Sequence, residues 1–232
     1  MSDHNLQFHA ELDALEQRVL AVVDQAERMV EMAVRAVTTN DMELAAQVVE
    51  LDNSIDAEYF QVHQDWTRLV ARFSPMGSDL RRMAVLLHLN ITFERMGDQC
   101  VNIAKIAQFN TDLPSAERIC AIVTEMGDLV RPMIRTAIGA FLRKDLDEAR
   151  LLPAMDEPVD RLNASMYQEA VAVSDDKRVL EWATKMLLVA RALERIGDQA
   201  VDFGEQTAYL ITGERAGFDE DGLVDPSHDG TP

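Results

Sequence analysis

Four pairs of acidic side chains stand at four-residue spacing in matched places along the chain: Asp52 with Asp56, Glu94 with Asp98, Asp156 with Asp160, and Glu194 with Asp198. On a helix, residues four apart share one face a turn apart, and like charges there cost about 0.2–0.5 kcal/mol. A cation between them offsets that cost. A single pair carries no information, because 41 acids among 232 residues produce roughly seven such pairs by chance, most on solvated faces. The recurrence does. The segment Glu94-Arg95-Met96-Gly97-Asp98-Gln99-Cys100-Val101 returns 100 positions later as Glu194-Arg195-Ile196-Gly197-Asp198-Gln199-Ala200-Val201, with six of eight residues identical. Leu51-Asp52-Asn53-Ser54-Ile55-Asp56 corresponds to Met155-Asp156-Glu157-Pro158-Val159-Asp160 at an offset of 104, and Asn40-Asp41-Met42-Glu43 to Lys144-Asp145-Leu146-Asp147. Such self-similarity marks a duplicated structural unit.

The acids flank core positions. Glu94 follows Phe93, while Asp52, Asp56, Asp156 and Asp160 follow Leu51, Ile55, Met155 and Val159. Two flanking pairs on neighbouring antiparallel helices predict a four-carboxylate patch on the surface of each bundle. Oxygen donors suit divalent or trivalent ions such as magnesium, calcium, manganese or iron, whereas structural zinc sites call for Cys or His at set spacings. Zinc held by carboxylates stays open. Asn102 and Asp202, one turn beyond Asp98 and Asp198, extend the stripe as further oxygen donors. The Glu-x-x-His of bundle di-iron enzymes is absent. His63, seven residues after Asp56, is the one histidine near the acidic face, and its counterpart is Tyr167; His88 falls off that face. Gly97 and Gly197 lie mid-helix, where Gly costs about 1 kcal/mol relative to Ala. Close approach of a metal or of a neighbouring helix, or simple tight packing, accounts for them. Arg95 and Arg195 either steady the carboxylates or form ordinary helix ion pairs.

The elements that must position these groups are helical. Only 10 Gly and 7 Pro punctuate the chain, and apolar residues recur at three and four nearly everywhere. An all-α fold follows, with six long antiparallel helices over 6–39, 42–73, 79–109, 115–143, 146–173 and 177–212, each roughly 45 Å long. They make two tandem copies of a three-helix bundle, an internal repeat over 1–110 and 111–214. The seam of the third helix runs Leu86, Leu89, Phe93, Met96, Cys100, Ile103 and Ala107, the spacing of bundle packing. The sixth repeats it with Met186, Val189, Leu193, Ile196, Ala200, Phe203, Thr207 and Leu210. Residues 215–232 read as an acidic, disordered tail. Cys100 and Cys120 form no ligand motif and read as buried small hydrophobes. Pro158, with Pro153 before it, predicts a kink that displaces Asp156 from the place Asp52 occupies.

Charge narrows the partners. A formal net charge of −19 disfavours nucleic acid, whose phosphates are bound through Lys and Arg, and an anionic lipid surface. Metal ions and basic surfaces fit better. The N-terminus lacks the basic and apolar regions of a signal peptide and no stretch is long and apolar enough for a membrane span, so the expected location is the cytoplasm.

With these residues in hand, the chain resembles the PhoU family across residues 6 to about 214. The resemblance rests on the duplicated Glu-Arg-x-Gly-Asp motif, the Asp-x-x-x-Asp pairs, Pro75-Met76-Gly77-Ser78-Asp79-Leu80-Arg81, Val101-Asn102-Ile103-Ala104, and Tyr209-Leu210-Ile211-Thr212-Gly213. It implies that the two three-helix bundles are related by a pseudo-twofold internal repeat, with metal clusters held by the acidic motifs on the bundle surfaces. It also implies a non-enzymatic adaptor between the ATPase of the phosphate ABC transporter and the phosphate-sensing histidine kinase, restraining uptake and signalling when phosphate is plentiful. Membrane contact would then come only through protein partners. A homodimer is favoured by the same resemblance and by the apolar side faces of long bundles. The family's Asn after the second Glu-Arg-x-Gly-Asp is Asp202 here. Two rival readings remain at this level: a helical scaffold whose acids only keep it soluble, and a carboxylate-metal hydrolase, for which no nucleophile or phosphate loop is evident.

Overall fold

The computed structural model describes residues 3–110, 112–214, 217–218 and 224–225. Its helices form six rods. The first is α1 (Asp3–Ala21) with α2 (Val23–Thr39), the second α3 (Met42–Phe73), the third α4 (Ser78–Phe109), and the fourth α5 (Glu117–Arg143). The fifth is α6 (Leu146–Ala149) with α7 (Leu152–Ala172), and the sixth α8 (Lys177–Thr212).

Capping chemistry sets the ends, and it repeats. The Asp41 carboxylate accepts the Leu44 amide at 2.9 Å, and Asp145 accepts that of Glu148 at 3.0 Å, each satisfying an orphan donor of a first turn. The residues before them, Asn40 and Lys144, close the preceding helices in the left-handed conformation, at φ of 54° and 52°. Asp176 caps α8, and Gly213 ends it at φ 81°.

Two of the six expected rods are interrupted. The ladder of the first misses at Val22, which keeps right-handed helical angles (φ −77°, ψ −18°), so the rod continues past the defect. Nothing in Leu20-Ala21-Val22-Val23 announces a break. The fifth breaks at Arg150-Leu151 because Pro153 lacks the amide that would bond the Ala149 carbonyl, and the Leu151 amide turns to Glu148, three residues back instead of four. Pro158, by contrast, lies inside an unbroken α7. In its second turn it forfeits one ladder bond without ending the helix.

Like rods meet like across the repeat. α2 packs on α5, first rod on first, and α4 on α8, third on third, while α3 and α7 pack chiefly within their own bundles. Phe203 of α8 meets Phe93 of α4 edge to face at 5.6 Å between centroids, and Phe141 of α5 at 5.8 Å. One core therefore runs through both halves. All seven seam residues of α4 are buried, and so are those of α8 up to Thr207, with Leu210 partly so. Cys100 is buried, but Cys120 is only half-buried, correcting the expectation for the second; both are free thiols.

The tail also departs from expectation. β1 (Gly217–Phe218) pairs antiparallel with β2 (Val224–Asp225). The Phe218 amide donates to Glu205 Oε1 at 2.9 Å, and its ring lies against α8 where Gly204 leaves room, 3.3 Å from the position a Cβ would take there. The remaining tail positions lie outside the described residues.

Candidate metal centre

Because α3 lies along α4 and α7 along α8, each Asp-x-x-x-Asp faces a Glu-x-x-x-Asp across one groove. The four acids of each half lie close enough to act on one another through their charge. Asp52 is pushed up to about 6, by burial first and then by Asp56, Asp98 and Glu94. Asp156 is pushed up to about 7, by burial and then by Asp160, Asp198 and Glu194. Burial, and next the neighbouring Asp98 or Asp198 charge, likewise raises Glu94 and Glu194 above the usual carboxylate range. Burial and Asp160 raise Asp198. The eight predicted carboxylates thus fall into two sets, four to a repeat, whose members influence one another electrostatically.

The mid-helix glycines explain how the first acid of each set fits. A Cβ on Gly97 would stand 2.5 Å from Asp52 Oδ1, and one on Gly197 would come closer still to Asp156 Oδ1. In each half a carboxylate rests directly on helix backbone, in space that alanine would fill. Asp156 therefore occupies the place equivalent to Asp52, and the displacement expected from Pro158 does not occur.

The donor set fits a hard cation. Asp156 is 8% exposed and Glu194 7%, and Asp156 Oδ1 and Glu194 Oε2 are buried without a hydrogen-bond partner. Orphaned anionic oxygens in a shared groove are costly unless a cation or donors compensate. Among the described residues, no three acid, His or Cys groups close on a common point as the side chains stand. Asp52, Asp56, Glu94 and Asp98, and likewise Asp156, Asp160, Glu194 and Asp198, would hold the ion, which would supply charge neutralisation at the groove.

The two expected extensions of the stripe have different surroundings. Asp202 is engaged elsewhere: its Oδ2 lies 2.6 Å from His88 Nε2, a hydrogen bond joining α8 to α4. Asn102 is exposed on α4, and its side chain hydrogen-bonds to no described residue. His63 is exposed beside the Tyr59 ring at 6.4 Å. Arg95 and Arg195 act on their clusters only through their charge.

The PhoU domain model matches the chain twice, over residues 19–107 and 123–207, and each match contains one complete set of four acids. The chain belongs to the PhoU family. Among PhoU relatives, the phosphate-specific transport system accessory protein PhoU homolog of Pseudomonas putida is 34% identical over 208 residues, spanning 89% of this chain and 81% of its own length. That of Clostridium acetobutylicum is 29% identical over 216 residues, spanning 92% and 98%. The crystal structure of PhoU from Pseudomonas aeruginosa superposes with a TM-score of 0.84 at 32% identity, covering 89% of this chain and 99% of that one. The phosphate transport system regulatory protein PhoU from Streptococcus pneumoniae gives 0.81 at 27%, covering 90% and 98%. No helix among the described residues of this PhoU family member is long and apolar enough to cross a membrane.

One contact at the site has no sequence signal that distinguishes it. Arg191, one turn before Glu194 on α8, donates from Nη1 to Glu194 Oε1. Arg-Glu spacings of three are common on solvated helix faces, and the equivalent residue in the first repeat is Ile91.

The raised carboxylates make a pH prediction. Between the ordinary Asp value of 3.8 and about 7, native Asp156 holds a proton that the unfolded chain has released. Stability therefore falls as pH rises through that window. Metal-free protein is expected to melt at a higher temperature at pH 5 than at pH 8, and Asp156→Asn to remove much of the difference. Calorimetric scans after chelation would measure this; a metal-free melting temperature that rises toward pH 8 would contradict it.

Proposed function

We propose that this chain is a non-enzymatic, metal-binding regulator of phosphate uptake and phosphate signalling. In this reading it acts as an adaptor between the ATPase of the phosphate ABC transporter and the phosphate-sensing histidine kinase, restraining both when phosphate is plentiful. Family membership supports the phosphate role, since the relatives are phosphate-transport accessory proteins by name. The observation that carries the metal part is the seating of Asp52 and Asp156 on glycine backbone within matched four-carboxylate grooves. Magnesium, manganese, iron or carboxylate-held zinc suits these donors. A bound cation cancels half or more of the negative charge of each four-carboxylate groove, which alters what can dock there. The protein works at the cytoplasmic face of the membrane, reaching it through its partners, and as a homodimer.

Elemental analysis of gently purified protein beside a Glu94→Gln, Asp98→Asn, Glu194→Gln, Asp198→Asn variant tests this reading. The expected result is stoichiometric metal in the parent chain and at least about a tenfold loss in the variant. Metal-free parent protein that takes up no Mn²⁺ on titration would leave the carboxylates as solubilising charge on a scaffold.

A further inference from the structure

The two clusters share their acids and their glycine seats but differ in one cation. In the second, Arg191 is hydrogen-bonded to one oxygen of Glu194 while the other, Oε2, is buried with no partner. The Glu194 side chain is 9% exposed and that of Arg191 is 54% exposed, so the acid is fixed in the groove and the guanidinium approaches it from water. In the first cluster Glu94 forms no ion pair among the described residues, and Ile91 stands where Arg191 would be. Arg95 and Arg195 act alike on the two halves, and Lys105 reaches Asp52 through its charge alone. Arg191 is therefore the directly bonded cation that distinguishes the second groove.

A guanidinium on a carboxylate oxygen and a metal ion on the same oxygen compete for the same lone pairs. Resting on the reading that the grooves hold metal, we propose that Arg191 is a tethered counter-ion of the second cluster. An incoming divalent cation must displace it, which weakens metal binding in the second repeat. Occupancy is then reported at the surface as a released, positively charged side chain. Arg191 acts through Glu194 and is a positioning residue rather than a ligand. With no such competitor, the first cluster changes its surface only by neutralisation.

Mn²⁺ titration followed by calorimetry separates the clusters. In full-length protein carrying Glu94→Gln and Asp98→Asn, only the second cluster remains; in protein carrying Glu194→Gln and Asp198→Asn, only the first does. Adding Arg191→Met to the former is expected to tighten Mn²⁺ binding by about tenfold, the worth of one charged hydrogen bond. Arg191→Lys should stay near the parent affinity because it retains the charge. Arg191→Met in the latter background should change nothing, whereas Ile91→Arg there should weaken the first cluster several-fold. Unchanged or weaker second-cluster binding in Arg191→Met, with the first cluster still binding Mn²⁺, overturns the role of Arg191 alone. Loss of binding in both backgrounds and in the parent protein overturns the metal reading and this inference with it.

Discussion

Gly197→Ala is expected to lower metal affinity at the second cluster by about 10–100-fold while shifting the melting temperature by only a few degrees. Two opposed terms act on folding. Alanine in a helix interior gains about 1 kcal/mol over glycine. The new Cβ forces Asp156 Oδ1 from its seat, and turning a side chain away from its preferred rotamer costs about 0.5–1.5 kcal/mol. The displaced atom ends a short side chain rather than belonging to backbone, so the fold absorbs the change. The site does not, because the evicted oxygen is one of the two left buried without a partner. Gly97→Ala should act in the same direction but less strongly, as Asp52 is less enclosed than Asp156 and has room to rotate. Mn²⁺ calorimetry with thermal melts on the same samples decides this. A collapse in melting temperature with affinity intact would show that the glycines serve packing rather than the carboxylates.

The largest effect on stability is expected from Phe203→Ala, at about 3–5 kcal/mol, since an aromatic ring is removed from a filled interior that only partly relaxes. The ring is fully buried between Phe93 of the first repeat and Phe141 of the second. Its loss should be felt by both halves at once. Denaturant titration should show a single transition at a lower midpoint with an unchanged slope, because slope follows the surface exposed and the same chain unfolds. Separate transitions in the parent protein, with the variant lowering only one, would show that the bundles unfold independently.

The fold was largely legible from its seams. Steps of three and four through Phe93 and Phe203 identify buried faces whatever the neighbours are, and every residue so placed is wholly or partly buried. The interruptions were harder to read. Val22 carries no breaker at all, and of two prolines in one stretch only Pro153 ends a ladder, because Pro158 falls after the helix has started afresh at Leu152. Duplication made the acids legible, since chance pairs do not recur in register. Contacts without a repeat partner stayed hidden: Arg191 answers to Ile91, and His88 meets Asp202 from 114 positions away. Phe218 was lost in an acidic run, yet one aromatic ring and one notch at Gly204 hold it against α8.

The meeting of first rod with first and third with third has an ancestral consequence. That is the arrangement by which two identical subunits associate about a twofold axis, each offering the other the same patch. A single-repeat ancestor with the face of Phe93 open to water would have needed a second copy of itself to cover it. Fusing two copies into one polypeptide freed that association from dilution. It also released each copy from the demand of serving both sides of a symmetric pair, so that equivalent positions such as 91 and 191 are free to differ, isoleucine in one copy and arginine in the other.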